Sequence, residues 1–157
     1  MNVRNLIALI ICLSIPLLTG AVAGIVTSSN IATWYASLNK PFFNPPNWLF
    51  GPVWTALYIL MGISLFIVWK QPHTRMRKQA LQVFFVQLLF NFAWSFIFFY
   101  FHQPGIALIE IIILWFAILI MIITFSRLNR WSAYLQLPYF GWVTFATALN
   151  ASIWYLN

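Results

Sequence analysis

An all-α integral membrane protein, a bundle of five transmembrane helices with a long proline-rich loop between helices 1 and 2, is the fold class this sequence predicts. Three observations carry that expectation. Of 157 residues, 63% are hydrophobic and only 6% charged, whereas a soluble domain carries about 25% charged residues. The apolar residues gather into five runs of transmembrane length, about 20 residues each. The cations fall in the short segments between those runs. No linker, second domain or internal repeat is visible, so residues 1–157 read as one domain.

The first helix is expected over residues 6–26, after a polar tip holding Arg4. Arg4 followed by an apolar stretch ending in Ala21-Val22-Ala23 raises the possibility of a signal peptide. The stretch is longer than the roughly 7–15 residues of a signal h-region, and the chain begins at Met1, so an uncleaved helix is expected. Gly20 and Gly24 form a GxxxG pattern that lets another helix approach closely, although glycine is also frequent in membrane helices generally. Helix 2 follows from Pro52, over 52–69. A basic loop, Lys70 to Lys78, leads to helix 3 over 79–101. His102-Gln103-Pro104-Gly105 is a tight turn with Pro104 suited to a helix start, and helix 4 covers 106–125. Ser126–Arg130 is a second short basic loop before helix 5 over 131–155. Pro138 inside that run should kink it, because proline lacks an N–H and crowds the carbonyl one turn back.

The formal charge of +7 does not indicate nucleic acid, since the cations form no stripe on any helix. Five spans place Arg4, Lys70, Arg75, Arg77, Lys78, Arg127 and Arg130 on one side and only Lys40 on the other. By the positive-inside rule the N-terminus is inside, and the proline-rich loop and the C-terminus are outside. The lone Cys12 forbids an intramolecular disulfide. His73 and His102 fall in loops on opposite sides and cannot share a metal. No Gly-rich phosphate loop or nucleophile–base pair is present, so neither a metal, a cofactor nor acid–base catalysis is expected.

Trp34 to Gly62 reads WYASLNKPFFNPPNWLFGPVWTALYILMG. Pro41, Pro45 and Pro46 make Lys40–Pro46 an ordered, non-helical segment. Beyond Pro52, Trp54, Tyr58 and Met61 fall at i, i+4 and i+7, which sets two large aromatics on one face beneath that loop. The economical reading is a lid over a pocket. Polar groups in hydrocarbon need partners, so intramembrane amides should face the bundle. Gln87, Asn91, Trp94 and Phe98 share one face of helix 3; Trp142, Ala146, Leu149 and Asn150 share one of helix 5. These faces could line a flat apolar cavity with Trp54 and Tyr58, or the amides could serve as helix–helix glue. Glu110, the only acid, falls roughly 6–9 Å into helix 4 at 1.5 Å per residue. It is either a proton or cation site or a carboxyl near the headgroups.

Taken together, Trp34-Tyr35, Lys40-Pro41, Pro45-Pro46, Trp48, Gly51-Pro52-Val53-Trp54, Tyr58 and Met61-Gly62 resemble the tryptophan-rich sensory protein/translocator protein family. This family is also called TspO/MBR, or the peripheral benzodiazepine receptor family. Gln87-Leu88, Asn91 and Trp94, then Pro138-Tyr139, Trp142, Phe145-Ala146-Thr147 and Leu149-Asn150 extend the resemblance to nearly the whole chain. It implies a five-helix bundle, usually a homodimer, that binds protoporphyrin IX and related tetrapyrroles. It also implies binding of isoquinoline carboxamides and benzodiazepines under the first loop, and light-dependent oxidative breakdown of bound porphyrin in bacterial members. Carried over by position, Tyr35 and Pro45 match the lid, and Trp54, Asn91, Trp142, Ala146 and Leu149 match the pocket. The sterol-recognition pattern is incomplete, because no Lys or Arg follows Asn150, and although a reversed pattern, Arg130–Tyr134–Leu137, is present, sterol is a doubtful ligand. The glycine motif often found in helix 3 is missing, which leaves Gly20 and Gly24 as the candidate dimer seam.

The resulting expectation is a multi-pass receptor of a bacterial cell membrane, in contact with lipid, that holds a tetrapyrrole as ligand or substrate. Ligand-binding candidates are Tyr35, Lys40, Pro45, Trp54, Tyr58, Asn91, Trp94, Trp142, Ala146 and Leu149. Lys40, the only outer cation, can reach a propionate. Trp54 and Trp142 are the candidates for photo-oxidation. The alternatives are a carrier of tetrapyrroles or other lipophiles and a proton-coupled exporter built on Glu110.

Overall fold

The computed structural model describes residues 2–157, whose regular structure is all helical, with no strand among them. Helix α1 spans Val3–Ile31, and the Asn2 side chain caps it by accepting from the Asn5 N–H at 2.9 Å. A single turn, α2 (Trp34–Ser37), precedes the non-helical stretch 38–46, and α3 runs over Asn47–Trp69. Helix α4 (Arg75–Ser95) is capped by Thr74 and ends in a π turn, Phe96–Tyr100. Helix α5 spans Pro104–Ser126, with its proline at the first position, where the missing N–H has no partner to lose. The short α6 (Arg130–Tyr134), capped by Asn129, leads to α7 (Leu137–Leu156).

Among the described residues, four units are long and apolar enough to cross a membrane: Val3–Ile31, Asn47–Trp69, Arg75–Tyr100 and Pro104–Ser126. Helix α7, at 20 residues, has the length, but Tyr139, Gly141, Thr144, Thr147, Asn150 and Ser152 dilute its apolarity.

Several boundaries differ from the sequence reading, each for a local reason. The first helix continues beyond residue 26 because its polar residues bond inward: Thr27 Oγ1 donates to the Ala23 carbonyl at 3.0 Å and Ser29 Oγ to Val26 at 2.9 Å. The loop to α3 is correspondingly shorter and carries its own helical turn. Helix α3 starts at Asn47 rather than Pro52, so that Pro52 lies inside it. The run 131–155 is two helices. A continuous helix would press the Pro138 ring on the Tyr134 carbonyl; instead α6 ends at Tyr134, and Pro138 lies in the first turn of α7.

Helix α1 lies along α3, and α5 lies between α4 and α7. Gly62 permits the first of these contacts: a Cβ there would sit 2.7 Å from the Leu13 Cα. The main core joins α3, α4, α5 and α7 around Met61, Phe84, Ile118, Phe125 and Tyr139, with Phe84 and Phe125 stacked at 6.3 Å. A second cluster under the first loop gathers Tyr35, Phe98, Phe99, Ala107, Leu149 and Ile153. Through the main core runs a buried polar chain. Tyr58 Oη donates to Asn91 Oδ1 at 2.7 Å, Asn91 Nδ2 to Tyr139 Oη at 3.0 Å, and Tyr139 Oη to Gln87 Oε1 at 3.0 Å. It ties α3, α4 and α7 together where no water competes, which makes each bond costly to leave unmade.

Candidate functional site

Beneath the first loop, α1, α3, α4, its π turn and α7 enclose a cavity of about 590 Å³. That lies within the roughly 300–1,000 Å³ typical of small-molecule pockets. Tyr35 closes it from above. The Tyr35 ring is buried, its hydroxyl donates to Asn44 Oδ1 at 2.6 Å, and it contacts Phe50 edge-on at 6.4 Å. Burial pushes the Tyr35 hydroxyl up to about 12, so it remains a neutral donor at ordinary pH. Asn157 anchors the lid to the end of α7: its side chain accepts from the Asn39 N–H and donates to the Asn39 carbonyl, both at 3.0 Å. Trp34 adds a stack on His102 at 4.3 Å.

The walls are aromatic. Trp54 stacks on Tyr58 at 5.5 Å and meets Tyr139 edge-on at 6.2 Å. Trp142 meets Phe50 at 6.2 Å and Phe145 at 5.5 Å. Trp94 is pinned between Phe98, 5.1 Å away, and Asn150, whose Oδ1 accepts from its indole N–H at 3.1 Å. Asn150 in turn donates to the Pro104 carbonyl at 2.8 Å, joining three helices while edging the cavity. All the exposed lining residues, among them Gly24 and Ser28 of α1 and Trp48, Gly51 and Thr55 of α3, come from these two helices. The cavity therefore opens sideways between α1 and α3. A Cβ at Gly24 or Gly51 would meet open space.

Of the candidate ligand-binding residues, Tyr35, Trp54, Tyr58, Trp94, Trp142, Ala146 and Leu149 line this one cavity. Lys40, Pro45 and Asn91 do not. The Lys40 ammonium donates to the Ala36 and Leu38 carbonyls at 3.2 and 3.0 Å and lies over the Tyr35 ring, 5.2 Å from its centroid. Carbonyls left free where α2 ends hold it there, away from the cavity. Pro45 shapes the loop; its carbonyl accepts from Asn44 Nδ2 at 3.1 Å. Asn91 spends its amide on the tyrosine chain described above.

The glycine pair, the candidate dimer seam in the sequence, also has a place inside this chain. A Cβ at Gly20 would overlap the Tyr58 ring of the same chain, and both Gly20 and Gly24 line the cavity. Sequence reasoning thus missed the α1 wall, although its signal, small residues at 20, 24 and 27, was in view. Phe50 and Phe145 were missed as rings that hold Trp142. Glu110 is buried in α5, and neither carboxyl oxygen has a hydrogen-bond partner.

The model of the TspO/MBR family matches residues 12–156. Similar proteins include the tryptophan-rich protein TspO of Archaeoglobus fulgidus, 42% identical over 157 residues, covering 100% of this chain and 99% of that protein. The human translocator protein is 37% identical over 123 residues, covering 77% of this chain and 73% of its own length. The tryptophan-rich sensory protein of Cereibacter sphaeroides is 36% identical over 124 residues, covering 79% and 77% respectively. With four apolar helices of spanning length and a family match over nearly its whole length, this chain is a multi-pass membrane protein that belongs to the TspO/MBR family.

Proposed function

We propose that the cavity binds a tetrapyrrole such as protoporphyrin IX and promotes light-dependent oxidation of the bound pigment, with dioxygen as the oxidant. The observation that carries this reading is the set of indoles around one apolar space of about 590 Å³. A porphyrin is a broad apolar disc with aromatic faces, and base–aromatic stacking of about 1–3 kcal/mol gives the scale for each indole against it. Among the described residues no cationic side chain lines the cavity. The two propionates would therefore lie toward the polar edge or the opening between α1 and α3. The same space suits isoquinoline carboxamide and benzodiazepine ligands.

The reading includes one domain of five spans, with α7 as the fifth. The N-terminus is inside and the lid and C-terminus outside, following the seven-to-one division of the eight cations. A homodimer belongs to it as well. The sideways opening favours a second reading, a carrier that exchanges a tetrapyrrole or other lipophile with the bilayer.

Indole is the most easily oxidised common aromatic side chain, and phenylalanine keeps much of its stacking surface. Trp54→Phe with Trp142→Phe should hold protoporphyrin affinity within about tenfold, or about 1.4 kcal/mol, while slowing light-dependent loss of the Soret band severely. Trp69→Phe, outside the cavity, is the control. Bleaching at the wild-type rate under equal light and oxygen would make the tryptophans walls only. Uptake of porphyrin into proteoliposomes, rather than retention, would favour the carrier.

A further inference from the structure

The end of the bundle opposite the lid carries a groove that the proposed function does not use. It has a volume of about 280 Å³ and lies between α1, α3 and α4, with Ile7, Ile11, Cys12, Leu65, Trp69 and Leu81 among its walls. Among the described residues Arg4 is its one charged wall residue, and the other lining side chains are apolar. From Arg4 to Ile15, α1 rises roughly 16 Å at 1.5 Å per residue. That is about half of the roughly 30 Å hydrocarbon thickness of a bilayer. The groove therefore has the depth of one leaflet, with a cation at its headgroup end.

A second observation lies behind one of its wall residues, Trp69. The guanidinium of Arg77 sits 5.9 Å from the centroid of the Trp69 ring, and the residue is only 6% exposed. One nitrogen, Nη1, pairs with His73 Nδ1 at 2.7 Å, while the buried Nε–H meets no acceptor. Among the described residues no carboxylate pairs with it, and the single acid of the chain, Glu110, lies near the start of α5 at the other end of the bundle. A buried cation without a counter-charge is costly, and an anion with hydrogen-bond acceptors relieves that cost. In a membrane, a phosphate carried by an acyl chain meets both requirements: the chain fits the dry groove and the anion fits its basic end.

We propose that this groove binds one anionic phospholipid from the leaflet at the basic end of the bundle. An acyl chain lies along α1, and the phosphate lies at Arg4 and the corner formed by Arg77 and Trp69. Native mass spectrometry of the full-length protein, offered equal phosphatidylglycerol and phosphatidylcholine, tests it. Wild type should retain one phosphatidylglycerol with a preference of roughly tenfold, about 1.4 kcal/mol. Arg77→Gln and Arg4→Gln should bring that preference near parity. Arg75→Gln removes the same charge from an exposed site outside the groove and should leave it intact. Ala8→Phe fills the groove and should abolish retention of either lipid. Phosphatidylglycerol should also slow alkylation of the groove residue Cys12 by a membrane-permeant maleimide. A thermal transition establishes folding for each variant; should Arg77→Gln not fold, Ala8→Phe and the Cys12 protection decide. Equal losses in Arg75→Gln and Arg77→Gln would overturn the proposal in favour of general surface charge. So would wild-type retention of both lipids alike, displacement of the lipid by inorganic phosphate alone, or a dimer mass that Ala8→Phe dissolves.

Discussion

Replacing Gly20 with alanine asks whether the glycine pair of α1 serves this chain's own interior or a second copy. The added methyl would overlap the Tyr58 ring, which is buried and hydrogen-bonded to Asn91 at 2.7 Å. If the ring stays, overpacking costs about 1–3 kcal/mol. If it moves, the Tyr58–Asn91 bond breaks inside the bundle, and the unpaired amide oxygen costs about 1–3 kcal/mol. The Trp54 ring stacked on Tyr58 at 5.5 Å would shift with it. Gly20→Ala should therefore lower the thermal transition in detergent and weaken ligand binding, both without changing the oligomer. Gly24→Ala adds the same methyl to open space and should be close to neutral. Thermal unfolding followed by tryptophan emission, with light scattering for oligomer mass, reads both effects. A Gly20→Ala protein of unchanged stability that loses its dimer would refute the reasoning and return the glycines to a seam between copies.

Further outcomes follow from the same structure. Tyr35→Phe removes the 2.6 Å bond to Asn44, and stopped-flow displacement should show faster ligand release by a factor consistent with about 1 kcal/mol. Because burial raises the Tyr35 hydroxyl to about 12, the unfolded chain ionises first. The Tyr35 contribution is complete below about pH 10 and is lost as pH rises toward 12; a pH series of lid protection by hydrogen exchange checks that sign. Asn91→Leu strands Tyr58 and leaves Tyr139 without its Asn91 donor, and should cost at least about 1–3 kcal/mol by thermal unfolding. In a Cys12→Ser background, Phe42→Cys on the lid should react with an impermeant thiol reagent in intact cells. Pro72→Cys in the basic loop should not, and the reverse would defeat the charge-based orientation.

Much of this site was legible because helical spacing and membrane chemistry point the same way. Gln87, Asn91, Trp94 and Phe98 share a face in the sequence and a buried face in the fold, since polar and aromatic groups both avoid lipid exposure in a bundle. Pro138 announced a break, but its register was hidden: the helix stops at Tyr134, the residue whose carbonyl the proline ring would strike. Lys40 suggests an anionic ligand as the lone outer cation of the sequence, and its local bonds to the carbonyls at the end of α2 have no signature in the sequence. The spacing of Gly20 and Gly24 signals close approach and is silent on whether the approaching group belongs to another chain or to Tyr58. The tyrosine partners of Asn91 come from α3 and α7, and no local pattern pairs residues so far apart in sequence.

The most direct test of tetrapyrrole binding in the cavity fills it. Ala146 lines the space and Ala148, two residues on, lies on the exposed side of the same helix. Protoporphyrin IX affinity, read by quenching of tryptophan emission and by the Soret shift, should fall at least about tenfold, or about 1.4 kcal/mol, in Ala146→Trp. In Ala148→Trp it should not change. Wild-type affinity in a folded Ala146→Trp protein, or an equal loss in both variants, would place the pigment elsewhere and contradict the account.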